Sequence, residues 1–587
     1  MKKYIVMSVI TAFVVSNLTA GETAPQTEET KATTSADYEA RIEKLEKSLK
    51  NLKKQLTAVK AHDSQDNIKF SADLRTAVDR LEYKTASGKT YKNTSLFSNR
   101  LWLNMAYAPS ERMIFRGQLS YNKAYGASPK MVGGLNQRGS SHSYDVFDWV
   151  TNETLTNDTL KVKEAYWLYM NDTFLGTDVP WTASFGRRPS VNGFLISLRD
   201  DDQPSSPDGH LINMEFDGGS FKFKLDKVTG VSGMYWKVCV GRGLTNARAR
   251  FNMDAAMDND PTNDFHSLGD YSKDSTTLDD IDLAGFIFVP YDDGQYKVVT
   301  TYYRAFNLPG FVMADPAMMD PNAQNTGMMA MYDTDGNNIP DTIGVNRNVQ
   351  LKNLGNMDGA AISVLVDGIG DGINDFLDDT KFFASFAWSK SMPDNTYNTL
   401  DVNQLMGMVQ QGVQQSLSGM TTPPTQADIS AAQKQAMENI MMQLQADPQA
   451  AASFIKKEGM MGSNDDETGT SYWVGVNMPA VVTDDGRIGL EFNHGSKYWR
   501  PFTYGEDTLV GSKIAVRGDA YEVYYIQPLL KGFSAEIRYT KLNYDYTGSQ
   551  GFFGATGVPM TMEEAKAFGM DPIEEAEDIR LSLRYRF

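Results

Sequence analysis

Residues 577–587 read EDIRLSLRYRF, and with a period of two they separate into two chemically distinct faces. Ile579, Leu581, Leu583, Tyr585 and Phe587 fall on one side, and Arg580, Ser582, Arg584 and Arg586 on the other. A soluble core would accept the apolar face. Three arginines on the reverse face fit a strand standing between lipid and a wet lumen better. The pattern recurs upstream. Met113, Phe115, Leu119 and Tyr121 oppose Arg116, Gln118, Ser120 and Asn122, and Phe533, Ala535, Ile537 and Tyr539 oppose Ser534, Glu536, Arg538 and Thr540.

Working outward, period-two segments occupy 68–83, 95–108, 111–122, 161–171, 180–188, 210–217, 232–241, 280–289, 294–305, 358–367, 379–390, 469–478, 485–495, 517–527, 532–544 and 577–587. Most are near the roughly 9 to 11 residues that a tilted strand needs to cross a bilayer. Short links such as APSERM, YDDG and PLLKG alternate with long ones at 123–160, 189–209, 242–279, 306–357, 391–468 and 545–576. Such alternation of short turns and long loops is expected of an up-and-down membrane barrel. The segment SFKFKLDK at 220–227 would break it, and is assigned to a turn. The predicted fold is therefore an all-β, 16-stranded antiparallel transmembrane barrel over 68–587.

Composition agrees with this class. No run after residue 20 approaches the roughly 18 apolar residues of a membrane helix, so any span must be a strand. A net charge of −18 argues against a nucleic-acid partner. The single cysteine, Cys239, excludes an internal disulfide framework. Residues 1–20 carry two lysines, an apolar stretch and small residues before Gly21, as a secretory signal peptide does. After a polar linker at 21–35, residues 36–62 place Ile42, Leu45, Leu49, Leu52, Leu56 and Val59 on an a/d seam. Isoleucine and leucine at a, with leucine and valine at d, do not favour a dimer, and the expected assembly is a homotrimer. That helix would reach into the periplasm, where it can meet peptidoglycan.

With its terminal strand ending in Tyr585 and Phe587, the chain resembles bacterial outer-membrane barrels. The resemblance implies that Phe587, with Tyr585, is the signal read by the barrel-insertion machinery, and that the barrel sits in outer-membrane lipid. Through SFGRRPS at 184–190, LINMEFDGGSFKF at 211–223, DGINDFLDDTKFFASFAWSKS at 371–391 and the final strand, it resembles more narrowly an uncharacterised, domain-of-unknown-function family of porin-like barrels with an N-terminal coiled coil.

A sixteen-stranded barrel is wide enough for an aqueous channel. In general porins, which the strand count resembles, the third external loop folds inward. Here that loop is 189–209, carrying Arg199, Asp200, Asp201 and Asp202 after Arg187 and Arg188. Acidic residues facing wall arginines would orient polar solutes in a transverse field. Arg100, Arg116, Glu215, Glu536, Arg538, Arg580 and Arg584 are expected to line the lumen, with both signs present, so ion selectivity does not follow from the count. In the loop 306–357, Asp333, Asp335, Asn337 and Asp341 have an EF-hand-like spacing. Asn338 stands where glycine is usual and no glutamate follows at position 12, so a structural calcium and a plain polar turn both remain open. TQAD at 425–428 has the form of a capping box, predicting a helix within 391–468. None of the five histidines sits in a catalytic motif, and no enzyme activity or other cofactor is expected. Two functions remain open: a porin for ions and small polar solutes, narrowed by 189–209, or a surface receptor or adhesin whose large loops bind a ligand.

Overall fold

A computed structural model describes residues 68–126, 155, 160–188, 190–244, 280–313, 330–332, 342–344, 349–370, 372–420, 423–446, 455–503, 508–549, 558–567 and 570–587. The signal peptide, the linker, the coiled-coil seam from Ile42 to Val59 and the calcium-type residues Asp333, Asp335, Asn337 and Asp341 lie outside these described residues.

Sixteen antiparallel strands close into one barrel. They are β1 (Lys69–Thr85), β2 (Thr90–Ser110), β3 (Met113–Ala124), β4 (Lys161–Asn171), β5 (Trp181–Arg188), β6 (Phe216–Lys224), β7 (Tyr235–Leu244), β8 (Ile281–Asp292), β9 (Tyr296–Met313), β10 (Val349–Asp367), β11 (Lys381–Pro393), β12 (Glu467–Pro479), β13 (Arg487–Gly495), β14 (Gly518–Leu530), β15 (Phe533–Tyr544) and β16 (Ile573–Arg586). Each pairs with its neighbours in sequence, and β16 returns to β1 with Asp79 opposite Arg580 and Asp73 opposite Arg586. Closure leaves no edge whose backbone groups would go unpaired in lipid.

The two faces of β16 separate as its period-two pattern requires. Leu581 and Leu583 are 51% and 45% exposed, whereas Arg580 and Arg584 are 2% and 7% exposed. The apolar set looks outward and the arginines look in. Outward aromatic side chains touch across strands, as Trp167, Phe185 and Phe221 do with ring centroids 5.1 and 5.6 Å apart. At the end carrying the long loops, the outward face changes to cross-strand ion pairs, Arg242 with Asp282 at 2.6 Å, Arg304 with Asp358 at 2.7 Å and Lys541 with Glu575 at 3.0 Å. Inside the wall, some positions must be glycine because a neighbouring ring lies over the backbone. A Cβ on Gly489 would stand 1.9 Å from Cζ of Tyr524.

The structure corrects the sixth strand. Residues 210–217 were expected to form it, yet the strand is Phe216–Lys224, and SFKFKLDK belongs largely to the wall rather than to a turn. Phe221 is exposed on the outward face while Lys222 turns inward, so the segment alternates as a wall strand does, and the alternation of loops is kept because 210–215 is loop rather than strand. The apolar residues of 210–216 suggested a strand because they are buried, but what buries them is the lumen. Leu211 and Met214 are fully enclosed there. Strands β9 and β10 also run further than expected, to Met313 and from Val349, so the loop between them begins later and ends earlier than 306–357. The 391–468 connection is helical as expected, with α1 (Val402–Leu417) and α2 (Gln426–Ala446) rising from a ribbon that pairs 397–400 with 455–458. Thr425 and Asp428 form a reciprocal capping box, with Thr425 N donating to Asp428 Oδ2 at 2.9 Å and Asp428 N to Thr425 Oγ1 at 3.3 Å.

Candidate functional site in the lumen

The loop between β5 and β6, described over 190–215, crosses the barrel interior. Its leading residues Phe194, Leu195 and Ile196 are apolar and pack on Ile287 and Val289 of β8, Val299 of β9, Phe383 of β11 and Trp473 of β12. A short 3-10 turn over Ile196–Asp200, entered through Leu195 at φ 75° and left through Asp201 at φ 50°, aims the acidic tip at the opposite wall. There Arg538 donates to Asp200 at 2.8 Å, and Arg584 donates to both oxygens of Asp202 at 2.8 and 3.0 Å while also binding Asp73 of β1. Arg586 donates to the Asp201 carbonyl at 2.9 Å and to Asp202 at 3.1 Å, and Arg199 reaches Glu522 of β14 at 3.5 Å. Burial would raise the Asp200 carboxyl, but Arg538, Arg199 and Arg584 outweigh it and hold that group well below the usual carboxylate range. For Asp202 burial and the Asp200 charge prevail over Arg584, and its pKa is raised.

The returning leg is fastened by a buried polar chain. Ser363 Oγ donates to Asp208 Oδ2 at 2.5 Å and contacts Ser385 Oγ at 2.6 Å, while the His210 ring meets Ser385 at 2.7 Å and Ser471 at 2.9 Å. Burial pushes the Asp208 carboxyl up to about 6 and the His210 imidazole down to about 3. Serine, histidine and aspartate are all present, but both ring nitrogens face serines, and Asp208 accepts from the His210 backbone N–H at 3.0 Å instead. Nucleophilic catalysis needs the carboxylate on the imidazole. The arrangement is a fastening and not a triad.

A second loop, the link between the period-two segments 485–495 and 517–527, also enters the lumen. Within 496–517, Trp499 and Phe502 are fully buried, Lys513 binds Glu491 at 2.5 Å and also Glu522, and Phe502 joins the first loop through Phe502 N to Leu211 O at 2.9 Å. Its signal was available: WRPF at 499–502 and LVGSKIAV at 509–516 are more apolar than a hydrated loop should be.

The structure brings together Arg199, Asp200, Asp201 and Asp202 with Arg538 and Arg584, but not with Arg187 and Arg188. Arg187 lies 3.6 Å from Asp217, and Arg188 donates to Ser220 at 3.0 Å. The acidic run does not face its arginines across water; it touches them. Arg100 lies 3.6 Å from Asp73 and stacks on Trp102, Arg580 binds Asp79 at 2.6 Å, and Glu536 binds Arg538 at 2.5 Å. Glu215, expected on the wall, is instead on the inward loop, 3.0 Å from Lys163 of β4. Arg116 is exposed and lines a cavity of about 630 Å³ with Lys222, Lys224, Lys297 and Glu164. A second space of about 420 Å³, beside Asp201, Asp202, Lys381 and Arg487, lies on another side of the first loop.

Comparison with solved structures returns outer-membrane proteins at low similarity. In-vitro folded OmpT of Vibrio cholerae is 10% identical with a TM-score of 0.36, over 89% of this chain and 97% of that one. An anion-selective porin from Comamonas acidovorans is 8% identical at 0.38, over 89% and 99%, and Pseudomonas putida OprB is 11% identical at 0.38, over 89% and 94%. Comparison with curated proteins finds no match. Residues 90–587 match the family described as protein of unknown function (DUF3373), and the chain belongs to that family.

Proposed function

We propose that the protein is a porin of the Gram-negative outer membrane, a homotrimer with its coiled coil in the periplasm, through which ions and small polar solutes diffuse past a constriction made by the inward loops. The observation that carries this reading is the combination of an apolar outward face with cavities of about 630 and 420 Å³ flanking a loop that crosses the lumen. Such spaces hold water because their walls are charged. Contact pairing of Asp200 and Asp202 makes the loop a latch more than a field electrode, so its displacement governs the width of the path. Single-channel conductance in planar bilayers tests this. Wild type should conduct in steps grouped in threes, and the Asp200→Asn, Asp202→Asn pair should raise conductance by freeing the tip. A folded barrel that stays silent in both forms defeats the porin reading.

The helical hairpin α1–α2 favours a second reading, a surface receptor, because a structured excursion of this size is not needed for diffusion. Deleting 401–454 separates the two. A porin keeps its conductance, whereas a receptor loses surface binding.

A further inference from the structure

The lumen contains charges of both signs in the sequence, and the fold pairs many of them while leaving some cations with no carboxylate at ion-pair distance among the described residues. Around β14, β15, β16, β1 and β2, Arg100, Arg538, Arg580, Arg584 and Arg586 touch carboxylates. On the wall from β3 to β9, Lys237, Lys222, Lys224 and Arg188 have no carboxylate at ion-pair distance among the described residues, and Glu164 acts on Arg188 only from further away. Lys222 lies instead over the Tyr235 ring, 3.5 Å from its centroid. Lys237 is 7% exposed, and its ammonium donates to Ser206 Oγ at 2.7 Å. A buried ammonium held by a single neutral hydroxyl is expensive unless an anion completes the site.

A cavity of about 60 Å³ adjoins it, lined by Arg188, Lys237, Ser206, Ser220 and Thr301, with no aspartate or glutamate in its wall. One water needs roughly 10–15 Å³ of such space, so the cavity admits a few waters or one tetrahedral oxyanion. Its polar groups are donors. Ser206 accepts from Lys237 and Ser220 from Arg188, which leaves both hydroxyl protons free to point elsewhere. Arg188 Nη1 and Thr301 Oγ1 are buried with no hydrogen-bond partner among the described residues. Ile212, Phe216 and Leu283 form apolar wall, which excludes water and strengthens each donor. Ser206 also lines the 630 Å³ cavity, giving the pocket an approach from open lumen.

We propose that this pocket binds the anionic group of a small solute, a free inorganic oxyanion or the phosphate end of an organic one, between Lys237 and Arg188. The proposal deepens the porin reading by naming a solute class and rests on it for passage, although binding itself needs no open pore. Calorimetric titration of the full-length, detergent-purified protein with inorganic phosphate and with glucose 6-phosphate tests it. Saturable binding is expected, weakened at least tenfold in Lys237→Met and in Arg188→Gln, with both variants keeping the heat-modifiable mobility of a folded barrel. Equal affinity for the two probes identifies a free oxyanion; tighter binding of the sugar phosphate identifies an organic solute. No saturable binding by wild type, or wild-type affinity in the folded Lys237→Met variant, overturns the pocket. Conductance without binding overturns the pocket and leaves the porin; binding by a protein that never conducts does the reverse.

Discussion

Arg584 binds Asp73 on the neighbouring strand and Asp202 on the loop, and donates to the Asp200 carbonyl at 2.7 Å. Its removal takes the closest cation from two buried carboxylates, leaving Asp73 with Arg100 at 3.6 Å and Asp202 with Arg586 at 3.1 Å, a loss bounded above by the about 3–5 kcal/mol of a buried pair broken on one side. Arg584→Gln should therefore lower the temperature at which the barrel loses its heat-modifiable form, and more than Arg586→Gln does, because Arg586 is half-exposed. Asp208 and His210 make a prediction in pH. The Asp208 pKa is raised to about 6, so its contribution to stability is full below the ordinary carboxylate value and is lost as pH rises through 6. The His210 pKa is lowered to about 3, so its contribution is full above the ordinary imidazole value and is lost as pH falls toward 3. Between roughly pH 4 and 6 the two slopes oppose each other. Relative to wild type, Asp208→Asn should become less stable as pH falls through that window and His210→Gln more stable, read as melting midpoints at a series of pH values. Parallel curves for the two variants would refute the assignment. Neither Asp208 nor His210 stood out in the sequence, because a lone histidine in a loop carries no spacing signal and the serines that bind the two residues, Ser363, Ser385 and Ser471, come from three different strands.

At the scale of elements, β13 and β14 fit together through absence of a side chain. Gly489 lies beneath the Tyr524 ring, and a Cβ there would overlap it. Gly489→Val should cost about 1–3 kcal/mol by overpacking and reduce the folded fraction on refolding into detergent; adding Tyr524→Ala should restore part of it. A double variant no better than the single would show that the strain lies elsewhere. Most strands were legible because a wall between lipid and water imposes period two on the sequence. The sixth was misplaced where that logic was broken twice: HLINMEF is apolar inside the barrel instead of outside it, and Lys222 and Lys224 lie on an inner wall where no ion pair announces them. The second inward loop was missed for a related reason. Trp499, Phe502 and Ile514 are buried against the first loop and distant strands, and their apolar character has no period to read.

For the whole molecule, the chain end completes the closure. Phe587 exchanges two backbone hydrogen bonds of 3.0 Å with Ala72 of β1, and its ring contacts Tyr585 at 5.6 Å while remaining largely exposed. Deleting Phe587 should lower the membrane-inserted fraction in cells several-fold while leaving in-vitro refolding nearly unchanged, if the exposed ring serves recognition by the insertion machinery. Equal losses in both assays would assign it to barrel stability alone. The sequence by itself determined the barrel, its sixteen strands, the alternation of short and long connections, and the helical insertion, because each follows from local periodicity and from the length needed to cross lipid. Only the tertiary structure decided what fills the lumen. The acidic tip of the first loop meets Arg538, Arg584 and Arg586, residues more than 300 positions away, while Lys222, Lys224 and Lys237, which meet no carboxylate among the described residues, gather on the opposite wall. Charge pairing depends on which side chains converge in space, and across a closed barrel that convergence is set by register and loop course rather than by any neighbouring residue.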